Sequence, residues 1–124
     1  MKKEPIRFTA AGDILITKKI PRENDGIAEI SRYIKRGDIR MANLETTYGF
    51  NMLGLANNHS MDYSYEGLNM TIDNVNKAGF FYAGSGKNLY EAARPAMIET
   101  KNGRVGVIDI CSTFENAARA GSQT

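Results

Sequence analysis

The run Phe50–Ala56 (Phe-Asn-Met-Leu-Gly-Leu-Ala) restricts the fold of this chain more than any other stretch. It is too short for a helix of ordinary length, and Asn57-Asn58 closes it with residues that tolerate left-handed turn backbone. A strand that is apolar on nearly every position is buried on both faces, as in a layered sheet. Its surroundings agree. Ile6–Leu15 reads as a first strand with the loose alternation of one covered on both faces. Asp38–Glu45 reads as a second, with Ile39, Met41 and Leu44 as its apolar residues.

Helical spacing fills the intervals. Asn24-Asp25 offers a cap before the stripe Ile27, Ile30, Tyr33 and Ile34, which Gly37 stops. Ser64 caps a second helix with Leu68, Ile72 and Val75 on its inner side, ended by Ala78-Gly79. Phe80–Ala83 is a short fourth strand, followed by the turn Gly84-Ser85-Gly86 and a short helix through Leu89, Ala92 and Ala93. Pro95–Thr100 and Arg104–Cys111 form a hairpin about Asn102-Gly103, a two-residue signal of the type I′ kind. Glu115–Thr124 is small and polar and is expected to be loosely ordered. Strand and helix alternate, so the predicted class is α/β, in one domain without repeats or linkers.

One joint conflicts with this plan. Only Thr46, Thr47, Tyr48 and Gly49 separate the second and third strands. Parallel neighbours need a crossover of about a dozen residues or more, and four residues permit only an antiparallel hairpin. The expectation is that residues are missing at this point.

Composition narrows the function classes. The chain has 124 residues, 42% hydrophobic and 24% charged, with a net charge of +2. Its Lys and Arg residues are scattered, the tightest cluster being Lys18-Lys19 with Arg22, so no nucleic-acid partner is expected. The single cysteine, Cys111, cannot form an internal disulfide. No apolar run reaches the length of a membrane span, and no signal peptide is legible.

Polar groups gather at three strand ends: Gly12-Asp13, Asn43-Leu44-Glu45, and Asn57-Asn58-His59-Ser60 with Asp62 just beyond. Ligands of α/β sheets bind outside the carboxyl ends of the strands. If the three strands are parallel, Asp13, Glu45, Asn58 and His59 converge at one rim. Two carboxylates, an amide oxygen and an imidazole suit Mn²⁺, Fe or Zn²⁺. Each segment alone reads equally well as a turn or a cap, and a lone histidine is more often structural; the ordered succession of three such ends favours a site.

These motifs, Gly12-Asp13-Ile14-Leu15, Asn43-Leu44-Glu45-Thr46-Thr47, Leu55 through Tyr63, and Glu66-Gly67-Leu68, resemble those of the poly-γ-glutamate capsule biosynthesis (CapA-type) family. Ala83-Gly84-Ser85-Gly86, Arg94-Pro95 and Asn102 through Val107 continue the resemblance in order. The family is similar in fold to calcineurin-like metallophosphoesterases, a sheet sandwich flanked by helices with a dinuclear metal site. The resemblance implies Asp13 and Glu45 as metal ligands and Asn58 as a ligand of a second metal. It implies a substrate-contacting or acid role for His59, with Asp38 and Asp62 in support. It further implies two divalent ions (Mn, Fe or Zn) in a complete domain, a polyanionic polymer or phosphoester as substrate, and capsule synthase subunits as partners. The implied activity is metal-dependent hydrolysis of a phosphoester or γ-glutamyl amide. The alternative is a non-catalytic accessory protein that binds the polymer or its synthase. Against the family pattern, residues 1–124 are expected to be one incomplete domain, short of a segment near residues 47–49 and of a C-terminal half that carries further histidines. Family members usually sit on the outer face of the cell membrane; this chain shows no anchor, as a cytoplasmic member or a trimmed one would.

Overall fold

Met52, Leu53 and Gly54 lie at the centre of a parallel sheet whose neighbours explain the unbroken apolar run. A computed structural model describes residues 4–13, 25–43 and 49–112. Its elements in chain order are β1 (Phe8–Asp13), α1 (Asp25–Ile34), β2 (Ile39–Asn43), β3 (Met52–Gly54), α2 (Ser64–Lys77), β4 (Phe81–Ala83), α3 (Leu89–Ala92), β5 (Ala96–Thr100) and β6 (Gly103–Val107). Among the described residues, β1-β2-β3-β4 form one sheet in that order and β5-β6 a separate antiparallel hairpin. All three pairings of the larger sheet are parallel. The chain is therefore α/β, as its alternation predicts.

Register decides which side chains share a face. Met41 aligns with Met52 and Met52 with Phe81; Ala42 aligns with Leu53 and Leu53 with Tyr82. The first set turns toward the hairpin. There Ile39, Met52 and Ala83 pack with Ile98 and Val107 of β5 and β6. The second set turns toward the helices. Leu53 and Leu55 pack on Val75 and Ile72 of α2, and Ala42 packs on Ile34 of α1 with Phe50. Ile39, Met52 and Leu53 are fully buried. Each contributes about 1.5–3 kcal/mol by leaving water. A three-layer arrangement results, with helices on one face of the sheet and the hairpin on the other.

Several local expectations are corrected. β1 is an edge strand, and Phe8, Ala10, Ala11 and Gly12 are exposed, so the described part of the first strand is not covered on both faces. On α1 only Ile34 is buried; Ile30 and Tyr33 face solvent, the Tyr33 ring lying 4.4 Å from the Arg36 guanidinium. The expected cap residue Asn24 lies outside the described residues, as do Ile14-Leu15 and the tail Glu115–Thr124.

Ser64 does not cap α2. It sits at φ 63°, in the left-handed region, and its hydroxyl donates to the carboxylate of Glu66 rather than accepting from a helical N–H. At the other end, Gly79 at φ 75° takes the left-handed position that stops a helix, as expected.

The hairpin turn is displaced by one residue. Thr100 pairs with Gly103, so Lys101-Asn102 forms the two-residue loop. A type I′ turn would need positive φ at both, and neither has it. Instead Thr100 Oγ1 accepts from the N–H groups of Asn102 (3.2 Å) and Gly103 (3.1 Å) and donates to the Gly103 carbonyl (2.8 Å). β6 also ends at Val107, short of the expected Cys111, because its partner β5 begins at Ala96 opposite Val107.

The questioned joint is parallel, not a hairpin. β2 and β3 run side by side with residues 44–51 between them, of which 44–48 lie outside the described residues. Asn51 secures the return. Its side-chain oxygen accepts from the Arg40 N–H at 2.9 Å, and its amide donates to the Asp38 carbonyl at 3.2 Å. Among the described residues, no helix is long and apolar enough to cross a membrane.

Candidate functional site

A row of four residues crosses the carboxyl edge of the sheet. Asp13 aligns with Asn43, Asn43 with Gly54, and Gly54 with Ala83. An irregularity between Ala10 and Asp13 shifts the register of β1 just before the row. The backbone of Asp13 therefore reaches the same rim as the ends of β2 and β3, as the parallel reading requires. Glu45 lies outside the described residues.

Beyond Gly54 the ladder runs out, and side chains take over its hydrogen bonds. Leu55 N–H still donates to the Ala83 carbonyl at 2.9 Å. The Leu55 carbonyl accepts from two hydroxyls, Ser60 at 2.6 Å and Ser85 at 2.9 Å. Asn57 N–H donates to Ser60 Oγ at 3.1 Å, and His59 N–H donates to Asn57 Oδ1 at 2.9 Å. Unpaired backbone groups at a strand end are costly unless satisfied locally, and Asn and Ser are suited to doing so. The Asn57–Ser60 segment thus has a structural reason for its composition besides any chemical one.

His59 and Asp62 form the polar tip of this turn. His59 Nδ1 lies 2.9 Å from Asp62 Oδ2, and the Asn58 amide nitrogen lies 3.1 Å from His59 Nε2. An amide nitrogen only donates, so this arrangement has Nε2 accepting and Nδ1–H donating to the carboxylate. The pair is open to water: the side chains are 72% and 51% exposed. At that exposure it adds little to stability; its effect is to orient the ring.

Asp38 is not brought to this rim. It opens β2 at the opposite end from Asn43, and its Oδ2 accepts from the Arg7 N–H at 3.0 Å, tying β1 to β2. The first turn of α2 lies nearby in sequence. There the Ser64 hydroxyl, and then Glu66's own backbone N–H, hold the Glu66 carboxyl below the ordinary glutamate value.

A cavity of about 540 Å³ opens at the rim, walled by Asn43, Asn57, Asn58, His59, Ser60, Asp109 and Cys111, with Leu55, Leu68 and Thr71 among its other lining residues. That volume suits a small-molecule or polymer-segment site. Two of these residues escape a reading of strand ends. Asn43 stands within its motif, yet the neighbouring Glu45 draws the attention. Asp109 sits in Val-Ile-Asp-Ile-Cys, which looks like a continuing strand. A lone carboxylate in an apolar run was the available signal. Its Oδ2 accepts from the Ala56 N–H at 2.8 Å.

The donor types suit a divalent cation. Asn43, Asn58 and Asp109 carry oxygen donors and His59 an imidazole. Among the described residues, no three of His, Cys, Asp and Glu come close enough together to hold an ion. The side chains of Asp13 and Glu45, the two carboxylates expected as ligands, lie outside the described residues.

Two uncharacterized proteins of Sinorhizobium fredii (strain NBRC 101917 / NGR234), y4sH and y4uA, are each 36% identical to the chain over 72 residues. The matched stretch is 58% of this chain and 16% of each relative, so the chain spans a minor part of their length. The family model for the bacterial capsule synthesis protein PGA_cap matches residues 46–124. That match takes in the Asn57–Asp62 turn and Asp109, and it begins one residue after Glu45. With well over half its length matched, the chain belongs to the bacterial capsule synthesis protein family.

Proposed function

We propose that the rim formed by Asp13, Asn43 and the Asn57–Asp62 turn is part of a metal-dependent hydrolase site acting on a phosphoester or γ-glutamyl amide during capsule synthesis. One observation carries the reading. The imidazole of His59 is oriented by a carboxylate, Asp62, at the carboxyl edge of a parallel sheet, beside an amide and in a cavity. Histidines used as ligands or acids are commonly held in this way through their other ring nitrogen.

In this reading Asp13 and Glu45 would be metal ligands and Asn58 a ligand of a second divalent ion, the metals being Mn, Fe or Zn. When bound, such an ion polarises the scissile group and lowers the pKa of water. His59 contacts the substrate. With its ring protonated, Asp62 balances the charge at Nδ1 while Nε2–H is delivered to the departing oxygen or nitrogen. For that the Asn58 amide has to rotate away from Nε2. The test is hydrolysis of phosphodiester and poly-γ-glutamate substrates with Mn²⁺ by the complete gene product carrying this chain. Activity that drops by about 10²-fold or more in His59→Ala supports the reading. Inactivity together with absence of metal by elemental analysis counts against it.

A second reading, a non-catalytic accessory that binds the polymer or its synthase, draws support from the openness of the turn. His59, at 72% exposed, is within reach of a large polymer as well as of a small substrate. Binding of poly-γ-glutamate by an inactive protein, lost in His59→Ala, favours it.

A further inference from the structure

Asp109 reaches the rim from the hairpin side of the sheet, and the surrounding backbone is shaped to admit its carboxylate. A Cβ on Gly54 would lie 2.8 Å from Asp109 Oδ2, and one on Gly84 would lie 2.9 Å from the same oxygen. At Gly54 that oxygen is the nearest atom, so a side chain there would push the carboxylate aside; Gly84 also faces Ala56 Cβ at 2.6 Å and stands at φ 94°, so it has to be glycine whatever Asp109 does. Gly54 ends β3 and Gly84 follows β4, so two adjacent strands leave the same gap. Oδ2 uses the gap to accept from the Ala56 N–H at 2.8 Å, a short charge-assisted bond. Ala56 is the last residue before the turn. The hydrogen bonds that shape the turn begin at Asn57, whose side-chain oxygen accepts from the His59 N–H at 2.9 Å.

We propose that Asp109 is a positioning residue: through Ala56 it fixes the root of the Asn57–Asp62 turn, and so the orientation in which Asp62 holds the His59 ring. The hairpin thereby becomes part of the site. Asp109 follows β6 by two residues, so shifting β6 would loosen the turn through Asp109. The functional consequence rests on the hydrolase reading. The positioning itself does not, since it concerns how the turn is held whatever the turn binds.

The test is nuclear magnetic resonance on the whole chain. In the unaltered protein, a coupling across the hydrogen bond links the Ala56 amide nitrogen to the Asp109 carboxyl carbon. Its absence, with couplings of the β2–β3 ladder visible in the same spectrum, overturns the proposal. In Asp109→Ala, exchange of the Ala56 amide accelerates by about 10-fold or more relative to that of Leu53. The His59 ring nitrogens shift toward the mixture of tautomers found in free imidazole. Asp109→Asn, which keeps an acceptor, restores most of both signals. Unchanged Ala56 exchange and unchanged His59 resonances in Asp109→Ala overturn the proposal even if the protein is destabilised. Loss of hydrolysis alone would speak to the hydrolase reading and leave these signals to decide the positioning.

Discussion

Asp109 Oδ2 and the Ala56 N–H meet at 2.8 Å across 53 positions of sequence, joining the end of the hairpin to the end of the central strand. This bond is where the two layers of strands meet at the rim, because the turn bearing Asn58 and His59 starts directly after Ala56.

The space around that bond gives a first prediction. Gly54→Ala puts a methyl group 2.8 Å from Asp109 Oδ2 and 3.0 Å from Asn43 Oδ1. Overpacking of this kind costs about 1–3 kcal/mol. In an Asp109→Ala background the cost shrinks, because the closest partner is gone. Urea denaturation of the four variants measures the difference; equal costs in both backgrounds would show that the two residues do not share the space.

Burial separates the two sides of the chain. Leu53 is fully buried against Val75 and Leu55, so Leu53→Ala lowers stability by about 2–5 kcal/mol. Ile30 is 55% exposed on α1. Ile30→Ser changes stability by no more than about 0.5 kcal/mol. Thermal unfolding of both variants checks the contrast, and a large loss in the second would place Ile30 in a core.

Glu66 provides a pH-dependent signature. Its carboxyl is held below the ordinary value chiefly by the Ser64 hydroxyl. Ser64→Ala removes that donor, so the carboxyl carbon of Glu66 titrates at higher pH. A depressed folded-state pKa adds stability that is present above the unfolded value and lost as pH falls through the folded one. The stability difference between wild type and Ser64→Ala therefore narrows on acidification. A Glu66 titration unmoved by Ser64→Ala contradicts the hydrogen bond.

The ring of His59 supplies a fourth. Asp62 Oδ2 lies 2.9 Å from Nδ1. Asp62→Ala removes the group that holds the proton on Nδ1, and nitrogen resonances of the ring shift toward the Nε2–H tautomer. On the proposed hydrolase reading, hydrolysis in the complete gene product falls about 10- to 100-fold, as when the partner of a ligand or acid histidine is lost. Unchanged resonances would show that Asp62 does not orient the ring.

Much of this fold was legible because its signals are local. The run from Phe50 to Ala56 needed cover on both faces, and the helices and hairpin supply it. Asn57-Asn58 closed the strand as a turn pair should. What misled was pattern without partners. Ile30 and Tyr33 keep helical spacing, but both stay exposed, Tyr33 with the Arg36 guanidinium over its ring. Ile108 through Cys111 keep strand composition, but among the described residues no strand runs beside them past Ala96. Asn102-Gly103 matched a turn type that Thr100 replaced with its own hydroxyl. The β2–β3 joint obeys the parallel pattern with fewer residues than a crossover ordinarily needs, and the family match starts at residue 46, within that joint. At the site, Asn58, His59 and Asp62 stood in one short segment and could be read together. Asp109 could not, because its partner is set by long-range packing and its neighbours in sequence are apolar.

Titration of the ¹⁵N-labelled chain with Mn²⁺ tests most directly whether the carboxyl ends of β1, β2 and β3 form one cation-binding rim. The account predicts selective paramagnetic broadening of the amides of Asp13, Asn43, Asn58 and His59. Lys101 and Asn102, at the hairpin tip toward Pro5, stay sharp. Broadening that spares the rim, or that spreads evenly over the chain, would contradict it.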